Sequence, residues 1–248
     1  LSRLTFSSDT VTSESGGILH DPEFRIGMSL VIGVPSVLFL RHWLASFDVA
    51  SETTLIDAGR AFWGALFTVM SFLTTTGFSS NSWGDAQQWS GLATPGLILM
   101  GLCLMGGGVA TTAGGVKLLR VFALYRNGLR EMERLVHPSS ISNADSMGKR
   151  LQKNGAFIAW IFFMLFALSL AVVTILLAAS GASFEEAFVM AIASLSTTGP
   201  LLEMGGDTPI RIIELNSFAK FVFVSAMVLG RLETLAIIAL LTPDLWRG

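Results

Sequence analysis

Three stretches of this sequence contain no charged residue: 61–84, 86–116 and 155–179. Each exceeds the roughly 20 helical residues that cross a hydrocarbon core. Soluble domains carry charge at about 25% of positions; here Asp, Glu, Lys and Arg together make up 14% of 248 residues, and they avoid the apolar runs. In lipid every backbone polar group must be satisfied within the protein, so such runs are helices or protein-covered re-entrant segments. The sequence therefore predicts an all-α integral membrane protein.

Charge distribution orients it. Eight of the 16 Lys and Arg fall between 117 and 153: Lys117, Arg120, Arg126, Arg130, Arg134, Lys149, Arg150 and Lys153. Only Glu131, Glu133 and Asp145 oppose them there. An excess of cationic residues beside spanning segments marks a cytoplasmic loop. No aromatic platform accompanies the basic stretch, which argues against nucleic-acid binding. The single cysteine, Cys103, lies in an apolar run, which leaves no disulfide framework. His20, His42 and His137 lack ligand spacing. No Ser-His-Asp set, intramembrane carboxylate pair or phosphate-binding loop argues for an enzyme, and no cofactor is implied. The chain begins at Leu1 and reads as part of a longer polypeptide.

Hydropathy divides the chain into a polar segment 1–24, a first unit 25–125, a basic linker 126–150 and a second unit 151–248. In the first unit a spanning helix is expected from about Ile26 to Phe47. A shorter apolar segment, Ala61–Phe72, then runs into Thr74-Thr75-Thr76-Gly77-Phe78. A long apolar stretch from Trp89 to Leu124 comes next, interrupted by Gly106-Gly107-Gly108 and Gly114-Gly115. The second unit repeats the order. Residues 155–179 span, Phe184–Leu195 is short, Ser196-Thr197-Thr198-Gly199-Pro200 comes after it, and a last spanning helix is expected from Ile212 to Leu241. An offset of 122 residues superposes Gly77 on Gly199, Phe62 on Phe184, Leu73 on Leu195, both threonine pairs, and Gly108 on Gly230. The expected architecture is two tandem copies of helix, pore helix, filter loop and helix, in parallel orientation. That makes four spanning helices and two re-entrant ones.

An apolar helix too short to span, followed by Thr-Thr-Gly, suits a cation filter. Carbonyls of an extended loop can replace the water of an alkali ion, with threonine hydroxyls as further oxygens. Glycine frees the backbone angles this needs. The negative C-terminal end of the pore helix faces the ion. The alternative is an ordinary turn after a helix. The run Met105-Gly-Gly-Gly-Val-Ala-Thr-Thr-Ala-Gly-Gly-Val-Lys117 is small on nearly every face and costs helix stability at about 1 kcal/mol per glycine. It reads as an unwound intramembrane gate including Gly106, Gly107, Gly108, Thr111, Thr112, Gly114 and Gly115; close helix packing is the competing reading. Arg231, within an apolar helix, is costly in a membrane and needs a cavity or partner. Lys220 is expected to snorkel outward.

The paired loops, the 105–120 run with its Gly-Gly-Val-Lys, and Met227-Val-Leu-Gly-Arg-Leu-Glu233 resemble the C-terminal half of the TrkH/KtrB potassium-uptake family over nearly all of 22–247. The resemblance implies four repeats around one pore, this chain matching the third and fourth. It implies Thr75, Thr76, Gly77 and Phe78 in one quarter of a K+ filter, and Thr197, Thr198, Gly199 and Pro200 in another. It agrees with an intramembrane loop as gate at the Gly-rich run, and it implies a homodimer in the bacterial inner membrane and a cytosolic nucleotide-binding ring of the TrkA/KtrA type as regulator. Arg231, from its own place in the helix, reads either as a charge in the pore that completes the gate or as a structural pair with Glu233 or with carbonyls of the unwound segment. Two other functions stay open on the residues alone: a secondary transporter of another solute, and a non-conducting half that needs a separate N-terminal half.

Overall fold

The computed structural model describes residues 22–45, 55–84, 87, 94–108, 111, 113–136, 146–206 and 208–232. Among these residues all regular structure is helical. Most of the expected polar segment 1–24, and the ends of the first and last expected spanning helices, lie outside them.

Helix α1 spans Pro22–Ala45. It begins four residues before the expected Ile26, because Pro22 suits a first helical turn, where its missing N–H costs nothing, and Glu23 complements the positive end. Helix α2 spans Leu55–Leu73, so the charged Asp57 and Arg60 belong to it, and its apolar part is Ala58–Leu73. The described residues of the stretch from Trp89 to Leu124 hold one helix and the start of another. Helix α3, Pro95–Met105, starts with proline and ends where Gly106 turns left-handed at φ 67°. Helix α4, Leu118–Val136, carries on into the basic stretch. Helix α5, Ser146–Ala179, likewise starts well before residue 155. Charge limits where a helix can cross lipid, and it does not stop helix formation. The apolar part of α5, Phe157–Ala179, is 23 residues, about 34 Å at 1.5 Å per residue.

Helix α6, Phe184–Leu195, opens with a capping box: Ser183 Oγ accepts from the Glu186 amide, and the Glu186 carboxylate accepts from the Ser183 amide. A one-turn helix α7, Leu201–Met204, and a 3-10 turn, Ile212–Glu214, lead to helix α8, Ser217–Leu232. Helix α8 therefore starts five residues after the expected Ile212. Asn216 is the reason: its Oδ1 accepts from the Ala219 amide at 2.7 Å, the bond of an N-cap. Lys220 Nζ reaches back to the Ile213 carbonyl at 2.9 Å.

Of the four spanning helices expected, two described ones are long and apolar enough to cross a membrane, Glu23–Arg41 and Phe157–Ala179. The third is broken at the glycines, and the fourth runs past Leu232 into residues that are not described. Helix α6 lies at the centre, against α3, α5, α7 and α8, while α2 packs on α1 and α3. Val69, Phe72, Leu99, Cys103, Met190 and Ile192 belong to one continuous core. Outside it, Trp63, Phe67 and Met70 form an exposed stripe on α2, and Phe157, Leu168 and Ile175 are exposed on α5. An apolar surface of this kind is stable only under lipid or protein.

Candidate functional site: two threonine loops and a glycine-rich segment

Both short apolar helices end in the same knot of hydrogen bonds. After α2, the amides of Thr74, Thr75 and Thr76 donate to the carbonyls of Met70, Phe72 and Ser71. After α6, the amides of Ser196, Thr197 and Thr198 donate to those of Ile192, Ser194 and Ala193. Every donor and acceptor is displaced by 122 residues. The middle threonine is left-handed in both, φ 54° at Thr75 and 56° at Thr197. A β-branched residue there is strained by about 1–2 kcal/mol, and the surrounding bonds hold it.

Beyond the knot the loops part. Residues 76–80 run on without helix, and no described residue hydrogen-bonds the carbonyls of Thr74 to Gly77. Gly77 is left-handed at φ 83°. In the second loop Pro200 closes a turn, and the carbonyls of Thr198 and Gly199 accept from the amides of Leu201 and Leu202 at 3.2 and 3.0 Å. Gly199 is not left-handed. Special backbone angles are thus used at Gly77 and not at Gly199, which lies in the turn that Pro200 closes before α7.

The threonine side chains also differ. Thr76 is exposed, its hydroxyl 2.9 Å from that of Thr74. Thr198 is fully buried, its Oγ1 accepting from Ser196 Oγ at 3.2 Å. Thr75 is buried, and its Oγ1 accepts from the Gly114 amide at 3.2 Å. Phe78 is exposed, as are Gly199 and Pro200.

The two loops touch. A methyl group added at Gly77 would lie 2.9 Å from Pro200 Cδ and 3.0 Å from Thr198 Cγ2. The glycine-rich segment is wedged against both. Gly114 bonds Thr75 of the first loop and abuts the Ser196 carbonyl of the second so closely that no Cβ fits. Gly230 of α8 abuts the Leu195 carbonyl in the same way. Gly115 and Gly230 line one small cavity beneath Leu195. Arg231, next after Gly230, is exposed and stands in the last described turn of α8. The segment thus meets the C-terminal end of α6, where the helix dipole is negative. Thr112 lies outside the described residues.

Sequence reading missed four participants. Glu23 of α1 lies under the segment: its Oε1 would be 2.6 Å from a Cβ at Gly108. Lys117, which sequence groups with the solvated basic stretch, is buried with φ 73°, and its Nζ points to the Thr111 carbonyl at 3.5 Å. The buried Cys103 thiol donates to the Phe72 carbonyl at 3.6 Å, so α3 is bonded to the last turn of α2 just before the first loop. Ser196 is the fourth; its match to Thr74 at the 122-residue offset was the available signal. At the opposite end of α3, Trp83, Glu185 and Glu203 line a cavity of about 540 Å³.

A family profile described as "TrkH: Cation transport protein" matches residues 13–245. The Trk system potassium uptake protein TrkH of Salmonella typhimurium is 33% identical over 230 residues, covering 92% of this chain and 44% of that protein. TrkH of Vibrio parahaemolyticus is 33% identical over 253 residues, covering 100% of this chain and 49% of that one. The crystal structure of the potassium transporter TrkH from Vibrio parahaemolyticus superposes with a TM-score of 0.71 at 31% identity, covering 92% of this chain and 45% of that chain. The chain spans about half the length of the relatives it matches.

Proposed function

This chain belongs to the TrkH family of cation transport proteins, and on that premise we propose that it forms half of a potassium-uptake pore of a bacterial inner membrane. One observation carries the reading. Two Thr-Thr-Gly loops with the same hydrogen-bond knot end two short apolar helices and touch each other through Gly77 and Pro200. The uncommitted carbonyls of Thr74 to Gly77 are the oxygens that replace the ion's water in the first quarter of the filter. The second quarter is assigned to Thr197, Thr198, Gly199 and Pro200, of which Gly199 and Pro200 are exposed. The remaining quarters come from two further repeats of the same kind, units 25–125 and 151–248 being the third and fourth. The whole assembly is a multi-pass homodimer, and the basic stretch 117–153 is part of the surface on which a cytosolic nucleotide-binding ring of the TrkA/KtrA type docks. No cofactor takes part.

Beneath the filter the barrier has two parts. The segment 106–115 follows the end of α3 at Met105, and its described residues are not helical, so it can move without unwinding a helix. Arg231 repels a cation unless carbonyls freed by that segment pair its charge. Two parts of one barrier do not act independently. In the complete transporter, Arg231→Ala raises rubidium uptake severalfold, partial deletion of 106–115 does the same, and the double change adds little to the better single one. Independent multiplicative gains, or no gain from either, would overturn this assignment.

A further inference from the structure

The Thr75 hydroxyl faces the glycine-rich segment. Thr75 is buried, and its Oγ1 accepts the Gly114 amide across 39 positions of sequence. Gly114 has little freedom around that bond: its Cα is pressed on the Ser196 carbonyl, and its own carbonyl is pressed on Gly106. The first loop, the segment and the second loop are therefore joined in series through one residue. In the second loop, Thr197 has nearly the same backbone angle, φ 56° against 54°, yet its hydroxyl bonds no other described residue. Local geometry alone does not explain the Thr75 bond. It exists because the segment lies against the first loop.

We propose that Thr75 is a positioning residue: its hydroxyl tethers the glycine-rich segment to the first loop and holds it beneath the filter, and that hydroxyl is not an ion ligand. Its left-handed backbone fits this role. In it the Thr75 side chain is buried and bonded to Gly114, while Thr76 next to it stands on the loop's exposed edge. The bond satisfies one amide of a segment whose helix has ended at Met105. When it breaks, Gly114 loses its hydrogen bond to the first loop while the knot after α2, made of backbone bonds, remains. The tether thus sets how often the segment leaves its place without resetting the filter carbonyls. This inference rests on the segment being the gate.

The test uses the complete transporter in lipid nanodiscs, with Thr75→Val to remove the acceptor, Thr75→Ser to keep it, and Thr197→Val as the matched control. Amide hydrogen exchange of peptides covering 105–117 is read alongside rubidium uptake and potassium-over-sodium discrimination. One hydrogen bond of ordinary net strength predicts about fivefold faster exchange in Thr75→Val. Thr75→Ser and Thr197→Val keep the wild-type exchange of this peptide. Uptake by Thr75→Val rises severalfold with discrimination unchanged. Unchanged exchange in Thr75→Val overturns the tether, and so does a loss of discrimination in that variant, since the hydroxyl would then act in the ion path. The pore assignment fails separately, if the wild-type protein itself shows no potassium-selective uptake.

Discussion

The two threonine loops are built alike up to the third residue and differently after it. Both helices end in the same three amide bonds, with a left-handed threonine in the middle. The first loop then runs on without helix, its Thr74 to Gly77 carbonyls are bonded by no described residue, and Phe78 is exposed. The second turns at Pro200, engages two carbonyls in starting α7, and buries Leu201 and Leu202. One knot serves two continuations because its bonds run back into the preceding helix. The next few side chains choose between them. Phe78 has no described pocket to enter, whereas Leu201 and Leu202 fall into the core between α3 and α6.

Three substitution sets can break this comparison. The largest effect belongs to the leucines. Leu201→Ala empties a fully buried site and is expected to cost about 2–5 kcal/mol. Phe78→Ala removes an exposed ring and is expected to stay within about 0.5 kcal/mol. Thermal unfolding of the complete protein in detergent measures both, and equal losses would mean that Phe78 is buried by another part of the protein.

The glycines come next. Gly77→Ala places a Cβ at φ 83° and against Pro200 and Thr198. The left-handed strain alone is about 1–2 kcal/mol. Gly199→Ala meets no atom within 4 Å and is expected to change stability by about 0.5 kcal/mol or less. Potassium-over-sodium discrimination should fall much further in the first variant. A larger fall in Gly199→Ala would show that a neighbouring repeat packs on the second loop.

The smallest effect concerns how α6 begins. Ser183→Ala removes the capping box and should cost about 1 kcal/mol, visible as a lower melting temperature. Discrimination should be unchanged, since the cap and the knot lie at opposite ends of the helix. A change in discrimination would mean that the loops respond to the position of the whole helix.

Several of these features were legible in the chain. Phe184–Leu195 was expected as a short apolar segment, and α6 has those bounds. The 122-residue offset put Thr75 on Thr197 and Leu73 on Leu195, and the same hydrogen bonds recur there. Other boundaries were not legible. The start of α8 depends on Asn216, which also donates from Nδ2 to the Ser180 carbonyl at 2.9 Å, 36 residues away. Hydropathy alone extended that helix back over the equally apolar Ile212 and Ile213. Lys117 was counted by its charge, while its burial depends on the fold of the segment before it.

By itself the sequence determined the helical class, the break at the glycines and the two threonine knots. Each of these arises from local forces: runs of apolar residues, the backbone freedom and poor helix propensity of glycine, and bonds between residues two to five apart. Only the tertiary structure decided that Gly114 sits between Thr75 and Ser196, that Gly230 meets the Leu195 carbonyl, and that Gly77 needs its φ while Gly199 does not. Those contacts join residues tens of positions apart. Their distances are set by how α3, α6 and α8 pack, and no local pattern in the chain encodes that packing.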